Sequence, residues 1–300
     1  MTNKLHLRPD DDDRDEPHGL IPAMDSYRHE LVQLVRRYGA GLGHRLGCGT
    51  YGCVWDIIKS DGRPSGYALK ISTDMTEGPA TQAVIDTGLD KEIYGLARLD
   101  GVWSMPWRAS QAVEAWAIVR ENIAPFVPLP WVSDYKLVEL FPEHQELAFD
   151  ATREEREWFR SLERYNSWTS RWVEFRREGG EEEDEDEAEY AYESRAKAIG
   201  ELYRHSETET LGEAIECLEE KGVVLADLHD ENIGSRIFDQ PGWRAAKPLP
   251  GGLPGYPRYP LLAFDFGQTT ATSSPGVPTI EEFRRENPGL AAVADAIPAL

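Results

Sequence analysis

The residues of this chain that could do chemistry begin with a run of glycines. Gly47-Cys48-Gly49-Thr50-Tyr51-Gly52-Cys53-Val54 sets Gly47, Gly49 and Gly52 where a backbone can close on phosphates, because no Cβ intervenes and N–H groups can point inward. The same spacing fits a dinucleotide fold, in which the third glycine opens a helix. Here Cys53-Val54-Trp55-Asp56-Ile57-Ile58 follows, rich in strand formers, so a strand–loop–strand hairpin is the expectation. An ordinary hairpin with glycines in its turn is the plain alternative. A Walker-type loop is excluded, since no Gly-Lys-Ser/Thr follows at the required spacing. Further on, Lys70 ends an Ala68-Leu69-Lys70-Ile71 strand, where alternation with apolar neighbours directs it to one sheet face. There its ammonium would face the α- and β-phosphates of ATP, or else simply face solvent.

Such a lysine needs a carboxylate to hold it. Glu92 is expected in that role, on a helix over Asp90 to Leu99 seated by Ile93 and Leu96. Glu77 is the rival, but it adjoins Gly78-Pro79, where no helix is expected. Asp227 and Asn232 stand five apart after the apolar run Val223-Val224-Leu225. A loop after a buried strand can hold a carboxylate near a substrate hydroxyl and an amide near a metal. Asp265 follows a second apolar run, Leu261-Leu262-Ala263-Phe264, and precedes Gly267; a carboxylate there suits a hard, oxygen-seeking cation such as Mg²⁺.

Taken in order, these motifs resemble the protein-kinase-like superfamily, over about residues 40 to 123 and 207 to 267. The resemblance implies an α+β, two-lobed fold with a small antiparallel-sheet N-lobe and a mainly helical, shortened C-lobe. It implies that Gly47, Gly49 and Gly52 cover the phosphates of ATP, with Val54 and Ala68 lining the nucleotide site. Lys70 would pair with Glu92, Asp227 would orient the acceptor hydroxyl or take its proton, and Asn232 and Asp265 would hold Mg²⁺. Arg120 to Ile123 would form the hinge whose backbone meets adenine, with Glu121 and Ile123 as the contacting positions. Leu225-Ala226 departs from the His-Arg of ordinary protein kinases, His229 replaces a common lysine, and no Ala-Pro-Glu follows Asp265. Asp227-Leu228-His229-x-x-Asn232 is similar to the loop of aminoglycoside kinases. The expected activity is transfer of the γ-phosphoryl of ATP to a hydroxyl, as a divergent Ser/Thr protein kinase. A small-molecule kinase and a catalytically silent ATP-binding scaffold are the rivals.

The elements that must position these groups are less evenly legible. Residues 1 to 22 read as an acidic leader, 23 to 123 as the N-lobe and 124 to 300 as the C-lobe. Ser26 to Tyr38 carries Tyr27, Leu31, Leu34, Val35 and Tyr38 at helical spacing. Strands are expected over Ala40 to Leu46, Cys53 to Ser60, Tyr67 to Ile71 and Ala115 to Val119, with turn formers from Ser60 to Gly66. Ala188 to Arg204 reads as a helix, as does Thr210 to Lys221, with Leu211, Ile215 and Leu218 on one face and Gly222 as its stop. Gln240 to Pro260, crowded with Pro and Gly, reads as a surface excursion. Thr269, Thr270, Thr272, Ser273 and Ser274 read as a polar linker or as autophosphorylation sites.

A net charge of -22 sits partly in two acidic blocks, Asp10 to Glu16 and Glu181 to Glu189. Such blocks are expected to stay solvated, or to dock a basic partner. Charge of this sign argues against nucleic acid as a partner, since phosphate contacts need Lys and Arg. No apolar run of about 18 residues occurs, so no membrane span is expected. The polar N-terminus carries no secretory signal, and Cys48, Cys53 and Cys217 show no zinc-like spacing; reduced thiols and a cytoplasmic location are the expectation.

Overall fold

The computed structural model describes residues 20–106, 114–125, 190, 192, 196, 199–200, 202–203, 208–225, 228, 232–236, 245–253, 256–267, 269–271 and 276–293. Asp227, His229, both acidic blocks, and Thr272 to Ser274 lie outside the described residues. The protein is mixed α+β. Its contacts group the chain into two units, one drawn from Met1–Gly78, Gly101–Arg120 and Val277–Leu300, the other from Pro79–Asp100 and Glu121–Gly276. This differs from a single division near residue 123: Pro79–Asp100 contributes Leu89, Leu96 and Leu99 to the second unit's core, and Val277–Leu300 contributes Ile280 and Phe283 to the first's.

The first unit is built on a five-stranded antiparallel sheet in the order β1-β2-β3-β5-β4. Its strands are β1 (Gly41–Cys48), β2 (Gly52–Ile58), β3 (Pro64–Ser72), β4 (Leu99–Pro106) and β5 (Glu114–Glu121). Alternation decides the faces. Cys53, Trp55, Ile57, Leu69, Ile71, Ala115, Ala117 and Val119 enter one core with helices α1 (Leu20–Ser26) and α2 (Arg28–Tyr38). The helix expected over Ser26 to Tyr38 is α2, with the unexpected α1 before it, and Leu20, fully buried, belongs to the core and not to a leader. The turn Lys59 to Arg63 closes as expected, with Gly62 at φ +78° and the Lys59 N–H on the Arg63 carbonyl at 2.8 Å. Strand β4 has no counterpart in the sequence reading, which assigned Leu99 to a helix.

Three later pieces complete the set. Strand β7 (Val223–Val224) pairs with β12 (Thr270–Ala271), and β8 (Ile233–Ser235) pairs with both β6 (Ala124–Pro125) and β11 (Leu262–Ala263), all antiparallel. Helix α5 (Glu209–Glu220) buries Leu211, Ile215 and Leu218 and stops before Gly222 at φ +95°. Tyr192, Ala196, Ile199 and Leu202 are helical and enter the same core. Inside the stretch read as an excursion, β9 (Leu249–Leu253) and β10 (Tyr256–Arg258) form a two-stranded hairpin. Helix α6 (Ile280–Glu286) starts on a capping box: Thr279 Oγ1 accepts from Glu282 N–H at 3.1 Å and Glu282 Oε2 accepts from Thr279 N–H at 2.8 Å. Among the described residues no helix is long and apolar enough to cross a membrane.

Asp90 is fully buried in the second unit, and one carboxylate oxygen accepts from the Leu99 N–H at 3.1 Å. Burial holds its pKa above the ordinary value of 3.8, with the Leu99 bond opposing. The folded chain therefore binds this proton more tightly than the unfolded chain. The contribution of Asp90 to stability is fullest below the unfolded pKa and falls as pH rises through the folded one. Asp90→Asn is expected to raise Tm at pH 7 to 8. In thermal unfolding across pH, the gain should shrink as pH approaches 3.8.

Candidate functional site

Each unit brings part of the expected set together. In the first, the glycine run forms the tip of the β1–β2 hairpin. Gly49 N–H donates to the Gly52 carbonyl at 2.8 Å, and Cys48 stands opposite Cys53. The three glycines are there for different reasons. A Cβ on Gly52 would lie 2.5 Å from the Ile71 carbonyl oxygen, so β3 demands that glycine. A Cβ on Gly47 or Gly49 would meet nothing within 4 Å. Packing within the protein does not require these two, and they leave backbone open on an exposed tip. Gly52→Ala is expected to cost about 1–3 kcal/mol by overpacking, and Gly49→Ala almost nothing; denaturant unfolding of both variants checks this contrast.

Behind the tip, Val54 pairs with Lys70 and Asp56 with Ala68 across β2 and β3. All four lie on the sheet face opposite the helical core, so Val54, Ala68 and Lys70 share a face. Lys70 is a buried cation there. Its Nζ lies 2.6 Å from Glu77 Oε1, with the two side chains 11% and 4% exposed. Glu77, not Glu92, is thus its carboxylate partner. Glu92 is exposed at the end of α4 (Leu89–Glu92), a helix of four residues in place of the ten expected.

Two packing facts explain the exchange. Helix α3 (Glu77–Thr87) starts at Glu77 itself. Pro79 falls in its first turn, where a missing N–H costs nothing because no intrahelical acceptor exists for it. Gly78 lies under Trp116: a Cβ there would come within 2.1 Å of the indole. The Trp116 Nε1–H donates to the Asp74 carbonyl at 2.6 Å and fixes that ring. The Gly-Pro pair therefore seats a helix instead of breaking one. Beyond α4, Gly95 lies against the Thr210 carbonyl, 1.8 Å from where a Cβ would stand. The chain there runs extended, with Ala97 N–H on the Ala263 carbonyl at 2.7 Å and Ala263 N–H on the Gly95 carbonyl at 2.9 Å.

In the second unit, Asn232 and Asp265 are brought together by strand register. Ile233 pairs with Ala263, Gly234 pairs with Leu262, and the Phe264 N–H donates to the Asn232 carbonyl at 3.0 Å. The two residues stand at the same end of the β8–β11 pair. Asn232 is buried and Asp265 half-buried, and Asp265 Oδ1 accepts from the Gly267 N–H at 3.3 Å. The β7–β12 pair brackets the same motifs from the other side: Leu225 and Leu228, flanking Asp227, are buried, and so is Phe266. No model of a known protein family matches this chain, and no curated protein matches it either.

At the expected hinge the side chains of Glu121 and Ile123 are buried. Glu121 is fully buried, and its carboxylate accepts from Arg236 Nε and, at 2.8 Å, from Arg236 Nη2, and from the Arg98 N–H at 3.1 Å. Its own N–H donates to the Arg98 carbonyl at 2.9 Å. Arg236 also stacks over Tyr94, 4.6 Å from the ring centroid. Repulsion from Arg236 adds to burial in lowering the Arg98 pKa. Ile123 packs with Ala97 and Leu262. Thr269 is buried and Thr270 lies in β12, so neither is part of a free linker.

The thiols depart furthest from expectation. Cys48 and Cys53 form a disulfide, and Cys217 takes no part in it. The Gly49–Gly52 hydrogen bond makes Cys48 and Cys53 the adjacent, non-hydrogen-bonded pair, in which facing side chains come closest. The expected hairpin already contained this signal, which zinc-like spacing does not carry.

Among the described residues no three His, Cys, Asp or Glu side chains gather as a metal cage. Mg²⁺ does not need one, since one or two carboxylates plus substrate phosphates commonly hold it. Asp265 with the Asn232 amide fits that donor set.

Proposed function

We propose that this protein is an ATP- and Mg²⁺-dependent phosphotransferase with a protein-kinase-like active site, moving the γ-phosphoryl group to a hydroxyl. The observation that carries this reading is the Lys70–Glu77 pair: a buried lysine held by a buried glutamate, on the sheet face shared with Val54 and Ala68. A buried ion pair of this kind is a weak source of stability, so a functional use accounts for it better than packing does. The open positions at Gly47 and Gly49 support the same reading, because that tip leaves its backbone accessible to phosphate.

In this reading Lys70 neutralises charge on the α- and β-phosphates while Glu77 fixes its rotamer. The glycine tip covers the phosphates with N–H groups. Asp265 and Asn232 would hold Mg²⁺, which offsets the charge on the phosphate oxygens. The acceptor oxygen forms its bond to the γ-phosphorus as the bond from that phosphorus to the β–γ bridging oxygen breaks, and Asp227 takes the hydroxyl proton. Positioning and charge stabilisation supply the rate.

The acceptor is proposed to be a Ser/Thr hydroxyl of a protein; His229 is the residue that favours a small-molecule acceptor instead. Incubation with γ-labelled and α-labelled ATP tests the reaction class. Label from the γ position alone in an acceptor is the expected result, and α-label in the acceptor would replace phosphoryl by nucleotidyl transfer. Profiling against peptides and then hydroxylated metabolites separates the two acceptor classes. In the same assay Gly49→Ala is expected to weaken ATP binding about tenfold, the scale of a few lost backbone contacts, with its fold intact.

A further inference from the structure

The disulfide spans the same tip that the proposed activity places over phosphate, and nothing in the phosphotransfer chemistry uses it. Cys48 is the last residue of β1 and Cys53 the second of β2, with Gly49, Thr50, Tyr51 and Gly52 between them. The two sulfurs sit differently. Cys53 is fully buried in the helical core of its unit, whereas Cys48 is half-buried beside an exposed strand end formed by His44 to Gly47. A reductant therefore reaches one sulfur and not the other. The tip is also tied at its far end, where the Thr73 N–H and Oγ1–H donate to the Tyr51 carbonyl at 2.7 and 2.9 Å. With the disulfide closed, the tip is fixed at its base and at its apex. With it open, the base rests on the Gly49–Gly52 hydrogen bond and on bulged β1–β2 pairing. Glycine at positions 47 and 49 then gives the backbone its widest freedom.

We infer that Cys48–Cys53 is a reversible thiol–disulfide exchange site that sets the order of the glycine tip and, through it, the affinity for the nucleotide triphosphate. The nucleotide half of this inference rests on the proposed function. The co-reactant is a dithiol. One of its thiolates attacks Cys48 Sγ, forming a mixed disulfide, and Cys53 leaves as thiolate and takes a proton. The second thiol of the reductant then attacks the mixed disulfide and releases Cys48 as thiolate, which is also protonated. Two electrons and two protons pass to the protein, and the reductant ends as its own disulfide. The closed form binds the nucleotide more tightly because ordering of the tip has already been done.

The test uses the full chain prepared without reductant. Alkylation after denaturation, read by mass spectrometry, is expected to label Cys217 and leave Cys48 and Cys53 unlabelled; full labelling of all three overturns the inference. Treatment with dithiothreitol is expected to weaken Mg²⁺–ATP binding on the order of tenfold, the scale of the loop-closure restraint, and reoxidation to restore it. Cys48→Ser should match the reduced chain and ignore dithiothreitol. Equal affinity in both redox states overturns the inference while leaving the phosphotransferase reading intact. If neither state binds ATP, that reading fails, and amide hydrogen exchange over residues 47 to 52 decides the redox half. Faster exchange on reduction in the wild-type chain, absent in Cys48→Ser, upholds it; unchanged exchange ends it.

Discussion

Glu77→Ala is expected to abolish phosphoryl transfer and to lower stability by about 3–5 kcal/mol, the scale of stranding one member of a buried ion pair. Glu92→Ala is expected to change neither, because its carboxylate lies exposed at the end of a four-residue helix. The contrast comes from burial. Lys70 has 11% of its side chain exposed, so loss of Glu77 takes a counter-charge from an ammonium largely shielded from water. Lys70→Met fills the same space with an apolar chain but strands Glu77 in turn, so it should lower stability by a similar amount while transfer falls by about two to three orders of magnitude. Denaturant unfolding and γ-phosphate transfer on the same preparations decide the matter. An active Glu77→Ala chain, or a dead Glu92→Ala chain with intact stability, would reverse the assignment.

Asp265→Ala is expected to leave Tm within about 2 °C and to cut Mg²⁺-dependent transfer by a factor of about 10² to 10³, the loss that follows removal of one group stabilising transition-state charge. Asp265 is half-buried, so the protein tolerates its truncation better than that of Asn232, which is buried where β8 begins. Asn232→Ala should therefore lower both Tm and transfer, whereas Asn232→Asp keeps the shape and adds a charge that favours a divalent cation. Titration of transfer rate against Mg²⁺ and Mn²⁺ reads the difference. The expected pattern is a raised metal requirement for Asn232→Ala and near-loss of metal response for Asp265→Ala. Full Mg²⁺-dependent activity in Asp265→Ala would remove this residue from the proposed site.

Much of the frame could be read locally. The hairpin around Gly49 and Gly52, the strand ending near Lys70, and α5 with Leu211, Ile215, Leu218 and Gly222 all announce themselves through period and punctuation within a dozen residues. The antiparallel pairing that sets Asn232 near Asp265 joins β8 to β11; the second apolar run supplies β11, but the first forms β7 and pairs with β12, and no local feature states either register. The failures share a cause. Gly78-Pro79 reads as a breaker until Trp116 is seen to require the glycine and the first turn to admit the proline. Glu121 meets Arg236 across 115 positions, and nothing next to either residue signals the other. The expected helix stops at Glu92, and Gly95 beyond it lies against the Thr210 carbonyl, again a distant partner. Propensity describes a segment alone; these positions are fixed by what packs on them.

The capped helix α6 has a consequence for synthesis. Phe283 packs edge-on to Trp103 at 5.2 Å between ring centroids, and Arg284 reaches back to Glu30 of α2 at 3.0 Å. Everything from Glu121 to Gly276 is translated between that sheet and its covering helix. A ribosome making about 5–20 residues per second therefore holds the early strands for many seconds with one apolar flank uncovered. During that interval a nascent-chain chaperone has a substrate, and a stall before Ile280 would release a product prone to aggregate.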